Sequence, residues 1–149
     1  MSETTTNTVP SQMASFIGTK RLKAFPMTKK EYCEYRGWEV PSDEDPDEQV
    51  YLVEYEADPE SKPNHPDHEG YISMSPKHVF DKAYKISESF VDRLVIEHSD
   101  LKEKKDKMWE AIKNGKVPGH AIDALKKQSR AMTEYLEVLE QRIGQAQLK

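Results

Sequence analysis

The last third of the chain carries a seven-residue repeat that demands a paired helix. Ile122, Ser129, Leu136 and Ile143 recur every seven residues, with Leu125, Met132 and Leu139 between them. This a/d spacing over three heptads lays one apolar stripe along a single helix. Upstream, Phe90, Leu94, Leu101, Met108 and Ile112 also follow helical spacing, with His98 and Lys105 as weak points in that stripe. Ser89 with Asp92 three residues on marks a helix start, and Asn114-Gly115 and Pro118-Gly119 mark the break between the two helices. Helices joined by so short a loop pair antiparallel. A two-helix hairpin covers one stripe poorly, so it is expected to dock on the rest of the chain or on copies of itself. Trp109 lies beside the stripe, where an exposed indole would favour an interface.

Before residue 87 the pattern is different. Met1 to about Ser15 is polar, Thr-rich and aperiodic, and reads as a disordered tail. From Phe16 to Ile86 the chain is rich in Tyr, Trp, Pro and Gly and reads as short elements. Phe16 to Ala24 is expected to be a strand with Gly18 at a bend or bulge. Thr28 and Glu31 form a capping box for a short helix that should stop near Gly37. Val50 to Tyr55 is the clearest strand, dense in β-branched and aromatic residues, and Gly70 to Met74 reads as its partner. Ser75-Pro76 is expected to open another helix, with Ser75 as N-cap, Pro76 at the first helical position, and Val79, Phe80, Ala83 and Tyr84 on its apolar face. The expected fold is therefore α+β: a tail (1–15), a small domain of few antiparallel strands and short helices (16–86), then a helical hairpin (87–149). A core of that size is marginal alone, which favours a homo-oligomer.

Length and charge remove several function classes. At 149 residues the chain is too short for a TIM barrel or a two-domain dehydrogenase. The mean hydropathy is −0.88, and no run approaches the roughly 18 apolar residues of a membrane helix, so no membrane partner is expected. The N-terminus lacks the basic region and apolar core of a secretory signal, and the single Cys33 suits a reducing cytoplasm. Met1–Ile86 has a net charge of −6 and Ser87–Lys149 of +1. Glu39–Ser61 holds ten acidic residues and no Lys or Arg. Such a segment repels phosphate backbones, so general nucleic-acid binding through it is not expected. It reads as a solvated loop, or more sharply as a docking surface for a basic partner or a mimic of nucleic-acid charge.

Candidate chemistry is sparse. Asn64-His65-Pro66-Asp67-His68-Glu69 combines imidazoles and carboxylates that suit zinc or nickel, yet its histidines lie in a Pro-flanked loop and no second cluster completes a ligand set. It reads as a polar turn, and no metal or other cofactor is expected. Cys33 sits among acidic neighbours that weaken a thiol nucleophile, so it reads as a small helix residue. No phosphate-cradling glycine loop and no nucleophile elbow exists, and no catalytic residue is assigned. A ligand pocket is better served by Arg36 and Trp38, since arginine grips phosphate and indole stacks on bases. Tyr51, Tyr55 and Tyr71 of the Tyr-rich strands offer its lining, and Glu54, Tyr71 and Ser75 complete the candidate set. Against this stands a plainer reading in which Trp38 and the tyrosines form the core and Arg36 pairs with Glu54 or the acidic loop.

Several of these blocks resemble a known family. Phe16-Ile17-Gly18-Thr19-Lys20, Lys23 to Thr28, Tyr35-Arg36-Gly37-Trp38, Tyr51 to Tyr55 and Gly70 to Pro76 resemble, in order, a tailed-phage family named for coliphage N-four gene product forty-nine and Shigella phage Sf-six gene sixty-six. The likeness runs from Phe16 to about Tyr84, and that family usually has Trp where this chain has Met74. Arg93, Glu97, Leu101, Gln128, Ala131-Met132, Tyr135, Leu139 and Arg142-Ile143 are similar to a helical hairpin of small phage proteins, relatives of a crAss-like phage protein among them. Gly37-Trp38, Ser75-Pro76 and Tyr84 alone resemble the second type of phage Thoeris anti-defence protein, which sequesters a cyclic ADP-ribose-type signal. These resemblances imply a phage or prophage accessory protein in the cytoplasm of an infected bacterium. The leading expectation is a non-enzymatic binder of a host or phage protein. The alternative is a sponge for a small cyclic nucleotide immune signal, and a metal-dependent hydrolase comes last.

Overall fold

The computed structural model describes residues 9–148. The architecture is α+β, a three-stranded antiparallel sheet with short helices followed by two long helices. Two compact units meet in sequence between Lys82 and Ala83. Of the expected tail, the first eight residues lie outside the described ones, and Val9–Gln12 form a single 3-10 turn.

In the first unit, β1 (Leu22–Thr28), β2 (Gln49–Tyr55) and β3 (Ile72–Pro76) form a sheet with β2 at its centre. The register sets Phe25 and Met74 on either side of Leu52, and Met27 and Pro76 on either side of Val50. Because strand side chains alternate, Val50 and Leu52 share one face with Met27, Ile72 and Met74. Tyr32 of α1 (Lys29–Arg36) packs there and completes a small core. On the other face Tyr51 stacks on Phe80 of α2 (Lys77–Ala83), ring centroids 4.1 Å apart.

Two boundaries depart from the sequence reading. The first strand is Leu22–Thr28, and Phe16 is 92% exposed. Pairing with β2 selects these residues, from Leu22 opposite Tyr55 to Thr28 opposite Gln49. Pro26 is tolerated because β1 is an edge strand, so its pairing is one-sided. The second departure is Ser75-Pro76, which ends β3 opposite Tyr51 and Val50, so the expected helix opens at Lys77 rather than at Pro76. A residue before proline is driven to extended backbone, which keeps Ser75 in the strand and starts α2 at Lys77.

The second unit holds α3 (Phe90–Lys113) and α4 (Gly119–Ala146). Ser89 and Asp92 form the capping box at the start of α3, and Gly115, at φ 69°, turns the chain after it. His98 meets Glu140 and Trp109 meets Ser129, so the helices run antiparallel. All seven heptad positions of α4 are buried or half-buried, and Leu139 is 0% exposed. Phe90 is the exception on α3: it is exposed at the first turn. No helix among the described residues is long and apolar enough to cross a membrane.

Candidate functional site

The candidate residues fall at separate places around the sheet. Arg36 and Trp38 do come together. The capping box of Thr28 and Glu31 starts α1, and Gly37, in the left-handed region at φ 73°, ends it. The chain then folds back, the Trp38 N–H donating to the Cys33 carbonyl at 2.8 Å. This lays the Arg36 guanidinium over the indole, 4.4 Å from its centroid, and within 3.1 Å of the Tyr32 hydroxyl. Trp38 is 53% exposed, so one aromatic surface faces solvent beside a cation. Trp38 is thus not core, although Tyr32 is.

Arg36 does not pair with Glu54. The partner of Glu54 is His68, whose Nδ1 lies 2.5 Å from Glu54 Oε1. The other ring nitrogen, Nε2, lies 2.6 Å from the Tyr35 hydroxyl. A carboxylate only accepts, so Nδ1 carries the proton, and on the neutral ring Nε2 accepts from the phenol. Gly70 donates its N–H to Glu54 Oε2 at 3.3 Å. The hydrogen bond from His68, foremost, and that from Gly70 hold the Glu54 carboxyl below its usual range. His65 stacks on Tyr35, centroids 4.5 Å apart, and accepts the Asp67 N–H on Nδ1 at 3.1 Å. The histidine loop is therefore a buckle joining α1, β2 and the turn before β3. Three of its four ring nitrogens are engaged within the protein. Among the described residues no group of His, Cys, Asp or Glu side chains is arranged to hold a metal ion.

Tyr71 lies beside Tyr55, ring centroids 6.5 Å apart, and its carbonyl accepts the Tyr55 N–H. The Ser75 hydroxyl lies 3.5 Å from the Pro76 carbonyl, and Ser75 pairs with Tyr51 in the sheet. Cys33 is buried in α1.

The acidic segment is partly anchored rather than free. Buried Lys29 reaches Glu44 at 3.1 Å and pairs with Glu48, and the backbone N–H groups of Lys29 and Lys30 bond the carbonyls of Glu48 and Pro46. Bonding to Glu48, then Glu44, pushes the Lys29 amine up. Sequence reasoning missed this anchor and the Glu54–His68–Tyr35 chain. The only available signals were a lysine at the first position of a helix and a Glu ending a buried strand.

In comparisons with known proteins, a family model described as Sequestin matches residues 88–145, which span α3 and nearly all of α4. No curated protein and no solved structure matches the chain. The C-terminal part of the chain is thus similar to the Sequestin family.

Proposed function

We propose that the protein is a non-enzymatic phage or prophage sequestering protein, whose helical hairpin captures a small cyclic nucleotide immune signal inside the infected bacterium. The observation that supports the sequestering part of this reading is the Sequestin match over residues 88–145, and the cyclic-nucleotide part rests on the resemblance of Gly37-Trp38, Ser75-Pro76 and Tyr84 to the Thoeris anti-defence proteins. The family's name speaks of holding a ligand rather than transforming it. The phage assignment rests on the resemblances of the blocks between Phe16 and Tyr84 and of the hairpin.

The hairpin has suitable chemistry. Arg142 lies 5.7 Å from the Phe90 ring centroid, joining an aromatic face to a phosphate-gripping group. Tyr135 and Val138 precede Arg142 at helical spacing and are exposed on the same side of α4. Among the described residues the hairpin buries only Leu94, Ser129, Leu136 and Leu139. Such a thin core favours a homo-oligomer that shares its exposed apolar side chains. Those same side chains, Val95 and Trp109 among them, favour a second reading in which a host or phage protein is the captured partner.

The test is a thermal-shift screen of the full-length protein against cyclic dinucleotides and cyclic ADP-ribose isomers. A ligand at 100-fold excess over Kd adds about 2.7 kcal/mol, a shift of several degrees. One cyclic nucleotide is expected to shift the melt, and Arg142→Ala to reduce that shift. A flat screen, together with a phage or host protein retained in pull-downs, would replace this reading with the second.

A further inference from the structure

The edge of the first unit carries a groove of about 660 Å³ that the hairpin reading does not use. That size lies within the range of small-molecule sites. The rings of Tyr55 and Tyr71 form its aromatic lining, and Tyr71 is 47% exposed. Lys20, Arg21 and Lys62 line it as well, and none of the three forms an ion pair among the described residues. The Lys20 amine sits 4.8 Å from the Tyr55 ring centroid. Glu56 and Asp58 share the lining, so three cations stand against two carboxylates there, in a region of the chain whose net charge is −6 over Met1–Ile86.

We infer that this groove binds a nucleoside phosphate, with the base on the tyrosine face and the phosphate among Lys20, Arg21 and Lys62. Aromatic faces stack on any base, and ammonium and guanidinium groups without an ion pair supply the anion contact. Glu56, also in the lining, offers an acceptor for a base amino group or a sugar hydroxyl. A mononucleotide fits better than a strand. A strand would carry further phosphates past Glu56 and Asp58 in the same lining, and these carboxylates repel a continuing phosphate backbone. The site lies outside residues 88–145 and stands whether or not the hairpin captures a ligand.

The experiment is calorimetric titration of the full-length protein with adenosine 5′-monophosphate, beside inorganic phosphate and adenosine alone. The monophosphate is expected to bind at least about tenfold more tightly than either fragment, as stacking and charge act together. Tyr71→Ala and a Lys20→Ala, Lys62→Ala double variant should each weaken it about tenfold, while Tyr71→Phe keeps the ring and the affinity. Arg142→Ala in the hairpin should leave it unchanged, which separates this site from the proposed capture site. Absent binding, inorganic phosphate binding as tightly as the nucleotide, or affinity lost in Arg142→Ala but kept in Tyr71→Ala would overturn the inference.

Discussion

Gly70 has no room for a side chain. A Cβ there would sit 1.9 Å from the Tyr55 carbonyl oxygen, a backbone atom that cannot swing aside. The close approach lets the Gly70 N–H reach Glu54 and sets Tyr71 beside Tyr55. Gly70→Ala should therefore cost about 2–4 kcal/mol in urea unfolding, as backbone must shift to relieve the clash. Glu54 makes a pH prediction. Its folded-state pKa lies below the ordinary 4.5, so the stability it adds is present above that value. That stability is lost as pH falls through the folded-state pKa. Asp92, bonded by the Ser89 N–H, and Glu103, bonded by Lys107, act in the same direction. Glu54→Gln should thus make the acid limb of a stability-versus-pH curve shallower without abolishing it; an unchanged limb would refute a folded-state link to His68. These contacts were not legible in the sequence. Glu54, His68 and Tyr35 lie far apart along the chain, and only the strand register and the loop path bring them together.

Local signals placed the elements better than they placed the contacts. Both capping boxes, Thr28 with Glu31 and Ser89 with Asp92, form as their spacing predicts, and Gly37 ends α1 in the left-handed region. The heptad positions of α4 face inward because a helix fixes side-chain direction by spacing alone. Strand edges were harder to read. Phe16-Ile17 has the composition of a strand, but a strand needs a partner, and β2 is filled by Leu22–Thr28 and Ile72–Pro76. Ser75-Pro76 has the composition of a helix start, yet Ser75 completes the ladder opposite Tyr51. Leu139 is the strongest anchor of the hairpin. Leu139→Ala should lower its stability by about 2–5 kcal/mol, readable as a drop in the melting transition followed by helical circular dichroism. A loss below about 0.5 kcal/mol would contradict the packing described for α4.

The chain joins a sheet unit to a hairpin, and the division of charge follows that boundary closely. The first part is acidic and holds the buckled histidine loop, and the hairpin part is nearly neutral and holds the Sequestin match. The sequence located the hairpin and its stripe because both are local patterns. It grouped Arg36, Trp38, Glu54, Tyr71 and Ser75 as one candidate set because residue types carry no distances. The structure gives Arg36 and Trp38 one neighbourhood, Glu54 a second beside His68, and Tyr71 a third beside Tyr55. If the protein sequesters its ligand, capture must be stoichiometric and leave the ligand chemically intact. The decisive measurement is to saturate the full-length protein with the cyclic nucleotide that stabilises it most, remove free ligand, denature the complex and identify what is released by mass spectrometry. Sequestration predicts a fixed ligand-to-protein ratio and release of the unaltered nucleotide. Release of a linearised or hydrolysed product would contradict it and make the protein an enzyme.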